Sequence, residues 1–157
     1  MDSSSNIVFW QINSFLTFSW FIFVLYRNNY VKRIKENDFE KAKFLENSLR
    51  KIEISLMTIV PISASIILFF ENPIFISYII NSSAVKSKLL IVILAILTEA
   101  ASLKFCTKVS YEIENEIGDV QKAKKQCFRC DLILMVFLVF LIFFPTSFLS
   151  EILATFS

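Results

Sequence analysis

Apolar residues in this chain come in long runs separated by charged stretches, the pattern expected of helices that cross a bilayer, whose core takes about 17 to 25 helical residues. Four runs qualify: Ile7–Tyr26, Ile54–Phe70, Lys88–Cys106 and Leu132–Ser150. The first, second and fourth hold no charge, whereas the third has Glu99 inside it and Lys88 and Lys104 near its ends. The start Met-Asp-Ser-Ser-Ser-Asn lacks the basic residues of a secretory leader, and the run after it is longer than a leader core, so a retained first span is expected. The stretch Ile74–Val85, after Asn72-Pro73, is apolar but too short to span. It is expected as a connector at the outer interface, with a re-entrant loop as the sharper alternative.

The segments between the runs carry a helical period. Phe39, Ala42, Leu45, Leu49, Ile52 and Leu56 recur at steps of three and four and continue into the second run. Glu99, Ser102, Cys106, Val109 and Ile113 do the same at the end of the third, and Val120, Ala123, Cys127, Cys130 and Leu134 lead into the fourth. Such seams pack helices side by side. They predict arms reaching beyond the bilayer by about 15 to 20 Å each, at the rise of an α-helix.

The two arms also resemble each other. Asn37-Asp38-Phe39-Glu40-Lys41-Ala42-Lys43 matches Gly118-Asp119-Val120-Gln121-Lys122-Ala123-Lys124 at an offset of 81, with four of seven positions identical. That offset carries the first run onto the third, and the second and fourth match after a shift of about three residues. A duplicated two-span hairpin is therefore expected. The predicted architecture is an all-α membrane protein whose four transmembrane helices form two tandem helical hairpins extending into the cytoplasm, with hairpin repeats over residues 7–71 and 88–150 in a single domain spanning 1–157. Gly118, the single glycine, is expected to end one helix in a left-handed conformation, with Asp119 capping the next, and Asn37 and Asp38 are expected to do the same work in the first copy.

Charge fixes the expected orientation. Of sixteen Lys and Arg residues, fourteen fall between Arg27 and Glu53 or between Lys104 and Asp131. Short cytoplasmic loops collect such residues, so both charged segments are expected in the cytoplasm, both termini outside, and the chain in the cell (inner) membrane. Ten of the fourteen acids share those segments, a mixture that suits solvated helix faces and argues against nucleic-acid binding. Charged residues make up only 19% of the 157 residues and mean hydropathy is +0.62, where soluble domains carry about a quarter charged residues.

Candidate chemistry is sparse. The chain has no histidine, which removes the commonest general base and metal ligand, and one glycine cannot build a phosphate-binding loop. No enzyme, cofactor or metal site is expected. Glu99 is the leading candidate, because a carboxylate inside a span is costly and marks a functional site by default. Thr98, Ser102, Thr17 and Ser63 lie near its depth and complete a candidate pore or ion-handling set. The alternative for Glu99 is a protonated side chain hydrogen-bonded to a neighbouring Ser or Thr. Cys127-Phe128-Arg129-Cys130 and Cys106 offer three thiols without histidine, short of a structural zinc site, and are expected to pack as small apolar groups. Small residues at Ser63, Ala64 and Ser65 and at Ala95, Ala100, Ala101 and Ser102 predict close approach of the second and third spans.

Two functions compete. The first is an oligomeric channel or membrane-permeabilising pore, in which copies of the chain place Glu99 in a polar ring. The second is a non-enzymatic accessory or scaffold subunit of a membrane complex, with Lys41, Lys43, Lys122 and Lys124 docking a cytoplasmic or membrane partner. The bilayer is the expected partner of both, and a proton-coupled transporter using Glu99 is a weaker third.

Overall fold

Every described element is helical in the computed structural model, which covers residues 3–35, 38–71 and 83–143. Helix α1 spans Ser3–Arg33, α2 Phe39–Phe44, α3 Arg50–Glu71, α4 Ser83–Glu114 and α5 Val120–Phe143, with a π-helical turn over Leu45–Leu49 joining α2 to α3. Most of the connector after Asn72-Pro73 and the end of the fourth apolar run lie outside the described residues.

Helix α1 shows how sequence spacing builds the bundle. Asn13, Thr17, Trp20, Val24, Arg27, Val31 and Ile34 recur at alternating steps of four and three, and all seven are buried. Their neighbours Phe15, Phe18 and Ile22 face outward. Against this stripe pack α3 on one side and α5 on the other, while α4 lies along α5. The pairs Ser102 with Asp131 and Cys106 with Cys127 run α4 and α5 in opposite directions. Close approach thus joins α4 to α5, whereas α3 and α4 meet little. Of the small residues expected between them, Ala95 and Ser102 are buried toward other helices, and Ser65 and Ala100 are exposed.

The turns follow local chemistry. The Asp38 carboxylate accepts from the Lys41 N–H at the start of α2, and the Asp119 carboxylate accepts from the Lys122 N–H at the start of α5. Each satisfies a donor that a helix start leaves free. Helix α4 ends where Ile117 N–H reaches back to the Glu112 carbonyl and Glu116 N–H to that of Ile113, the paired bonds of a Schellman terminus. The left-handed residue of that terminus is Glu116, with φ 54°, not the glycine expected there. Gly118 adopts φ 80° one step before the Asp119 cap, and a β-carbon on it would come within 2.6 Å of the Glu112 carboxylate.

The expected seam holds in α4, where Glu99, Ser102, Cys106, Val109 and Ile113 are all buried. It breaks after Leu49. A π turn accommodates one residue more than an α turn, so the buried position after Leu49 becomes Glu53, and Ile52 points outward at 39% exposure. In α5 Cys130 is half-buried and Asp131 lies inside.

Two apolar clusters fill the bundle. Val31, Ile34, Ala42, Leu45, Leu49, Val109, Ile113 and Ala123 pack at the end carrying most of the charge. Trp20, Val24, Val60, Ala95, Leu134 and Leu138 pack toward the other end. Helices α4 and α5 are long and apolar enough to cross a membrane, and only 28% and 22% of their most apolar windows are buried within the chain. A core helix of a water-soluble domain would hide far more of such a surface.

Candidate functional site

Between the two apolar clusters lies a layer of charge. Each long helix delivers one ionisable residue to it: Arg27 from α1, Glu53 from α3, Glu99 from α4 and Asp131 from α5. All four have zero exposure. The Arg27 guanidinium is the hub. Its Nη1 donates to Glu53 Oε2 at 2.5 Å and to Glu99 Oε1 at 2.8 Å, and its Nη2 donates to Glu99 Oε2 at 3.0 Å and to Asp131 Oδ1 at 2.5 Å. Glu99 is therefore held in the two-pronged geometry that arginine alone provides.

Ser102, one turn along α4 from Glu99, donates its hydroxyl to Asp131 Oδ1 at 2.5 Å. Below it the Cys106 and Cys127 thiols face each other, and Cys127 Sγ lies 3.8 Å from Asp131 Oδ2. The cysteines are free and pack at the floor of the cluster. Three buried atoms at or above the layer have no hydrogen-bond partner: Glu53 Oε1, Arg27 Nε and, one heptad up the same stripe, Trp20 Nε1.

Three carboxylates against one guanidinium leave the cluster with a formal charge of −2. The whole chain carries +2, so everything outside the cluster sums to +4. Burial of the acids thus makes the surface more basic than the composition suggests. Among the described residues no group of three or more Cys, Asp and Glu side chains is disposed to hold a metal ion, and the guanidinium occupies the space among the three acids.

Of the residues singled out from the sequence, Glu99 and Ser102 come together in this layer. The others do not join them. The Thr98 hydroxyl turns outward and bonds to the Leu94 carbonyl, Thr17 bonds to the Asn13 carbonyl, and Ser63 to that of Val60. Glu99 takes its hydrogen bonds from Arg27 and not from the serine or threonine expected to neutralise it. Lys41, Lys43 and Lys122 are exposed near the turns, with Lys41 paired to Asp38. That pairing, chiefly its hydrogen bond, holds the Asp38 carboxyl below its ordinary range and raises the Lys41 ammonium. Lys124 is half-buried and donates to the Ile34 carbonyl, tying α5 to the end of α1.

Sequence reasoning assigned Arg27, Glu53 and Asp131 to the ends of spans, where charge is ordinary, and so missed the cluster. A signal was present. Arg27 lies seven residues after Trp20 on the α1 stripe, Asp131 four after Cys127 on the α5 seam, and three of the four apolar runs have an acid or a base of this layer directly at one end, while the third has Glu99 within it. No family model, curated protein or solved structure matches this chain.

Proposed function

We propose that this chain is a non-enzymatic four-span membrane protein that serves as an accessory or scaffold subunit, anchored by its apolar helices and docking a partner through its charged end. The observation that carries this reading over a pore is the placement of Glu99. A polar ring between copies needs that carboxylate on a surface another copy can share, and Glu99 has zero exposure with both oxygens bound to Arg27 of its own chain. The layer of Trp20, Val24, Val60, Ala95, Leu134 and Leu138 also fills the bundle on the apolar side of the cluster.

Support for the four-span arrangement comes from all four long helices. Phe15, Phe18 and Ile22 on α1, Ile59, Ile62 and Ile66 on α3, Leu90, Ile93 and Leu97 on α4, and Ile133 and Val136 on α5 are exposed large apolar side chains on the same side of the ionic layer. Water would not tolerate so much exposed apolar surface on a monomer, and lipid would. The opposite end exposes Lys41, Lys43 and Lys122 together with Phe39, Phe44, Tyr111 and Ile117, a mixture suited to a protein surface with acidic and apolar groups. The basic residues there favour a cytoplasmic position in the cell membrane. Matching Asp caps at Asp38 and Asp119, followed by buried Ala42 and Ala123 at the same offset, support the duplicated hairpin.

Vesicle flux and crosslinking together test the reading. Liposomes containing the full chain should stay tight to small ions and dye. A photocrosslinker at Lys43 or Lys122 should trap one defined membrane or cytoplasmic protein in native membranes, and charge reversal at Lys41, Lys43 and Lys122 should abolish that adduct. Ion or dye flux through the wild-type vesicles would overturn the proposal in favour of the oligomeric pore.

A further inference from the structure

The ionic layer is unbalanced, and the imbalance falls unevenly on its three acids. Glu99 receives two bonds from Arg27, Asp131 receives one each from Arg27, the Ser102 hydroxyl and the Cys127 thiol, and Glu53 receives one, on Oε2. Glu53 Oε1 is a fully buried acceptor with no hydrogen-bond partner. A buried carboxylate without compensation costs several kcal/mol, and proteins relieve such a cost by taking up a proton. We propose that the cluster is a proton-binding site, with Glu53 as the carboxyl that carries the proton.

The charge balance improves. Protonation takes the cluster from −2 to −1, leaving Glu99 and Asp131 as the anions that face Arg27. The same proton removes the formal charge from the carboxyl whose second oxygen receives no hydrogen bond, where an uncompensated buried charge otherwise carries its full desolvation penalty. The charged groups that face Glu53 are Arg27 from α1, Glu99 from α4 and Asp131 from α5, while the Ser102 hydroxyl and the Cys106 and Cys127 thiols gather around Asp131. None of these supplies a second cation. On release, the proton passes to water and the layer returns to −2, with Glu53 again repelled by Glu99 and Asp131.

The site is distinct from the docking end, and its test depends on neither a partner nor flux. Infrared spectra of the full chain in lipid vesicles resolve the carbonyl stretch of a protonated carboxyl from ionised ones. A protonated-carboxyl band is expected at neutral pH, lost on raising the pH and lost in Glu53→Gln but retained in Glu99→Gln. Absence of the band in the wild type, or its persistence in Glu53→Gln, would overturn the assignment. The wild-type protein gives a second readout. A proton bound only in the folded state makes stability fall as pH rises through the folded-state titration of the site, so between about pH 5 and 8, below the ordinary range of the buried thiols, the unfolding midpoint should drop in the wild type and stay level in Glu53→Gln. A level wild-type profile sinks the proposal even if the variant does not fold.

Discussion

The two arms that begin at Asp38 and Asp119 start alike and arrive differently. Both open on an aspartate that caps the N–H of a lysine three residues on, and both bury the alanine that follows that lysine. From there α5 runs as an unbroken α-helix to Asp131, twelve residues past its cap, whereas the first arm passes through a π turn and reaches Glu53 fifteen residues past its own. The acids end in the same ionic layer. A shared start therefore does not set a shared register; the backbone between start and cluster does. Asp131 is fastened by both Arg27 and Ser102, while Glu53 keeps one oxygen unpartnered, so the regular arm delivers the better-bound acid.

Removing the hub tests what both arms depend on. Arg27→Met leaves three buried acids facing each other, and breaking a buried ionic group in this way costs about 3–5 kcal/mol; chemical unfolding in mild detergent should show loss of the folded state or a fall of that order. Deletions separate the arms next. Deleting Gln126 turns everything before it by about 100° relative to Asp131, which should lower the unfolding midpoint nearly as much as Arg27→Met. Deleting Asn47 from the π turn should restore plain α-helix with Glu53 still inward, and so leave the midpoint close to wild type. Equal damage from both deletions would mean that the π turn is not what sets the register of the first arm.

Smaller effects sharpen the contrast between the acids. Asp131→Asn disturbs three hydrogen bonds at a buried site and should cost about 1–3 kcal/mol. Glu53→Gln keeps the shape and the proton-bearing character proposed for this side chain, and should cost under about 1 kcal/mol at neutral pH by the same reasoning. The caps come after these: Asp38→Ala and Asp119→Ala should each remove about 1 kcal/mol, measurable as a shift in thermal midpoint. Acidification should mimic the first of these substitutions. Lys41 holds the Asp38 carboxyl low, so its capping contribution is present at neutral pH and fades only as pH falls through that lowered range. Least of all, Ile52→Ser should change stability by about 0.5 kcal/mol or less, because the residue lies outside the core. A loss of 2 kcal/mol or more, the cost of truncating a buried isoleucine, would place Ile52 back on the seam.

The four apolar runs, the helical period of the arms and the Asp38 and Asp119 caps were legible in the sequence, because each depends on residues within one or two turns of each other. The α4 seam, including the inward turn of Glu99, was legible for the same reason. Local spacing could not show the π turn, since five ordinary residues over Leu45–Leu49 carry no composition that distinguishes π from α. Nor could it show which carboxylates share Arg27. Glu53, Glu99 and Asp131 lie 26, 72 and 104 positions from that arginine, and only the packing of four helices brings them within hydrogen-bond reach. The sequence alone determined helices with apolar flanks and charged ends, a matter of local period and solvent preference. Tertiary packing alone decided that one charge from each long helix would be taken out of solvent, because only there could a single guanidinium meet three acids at once.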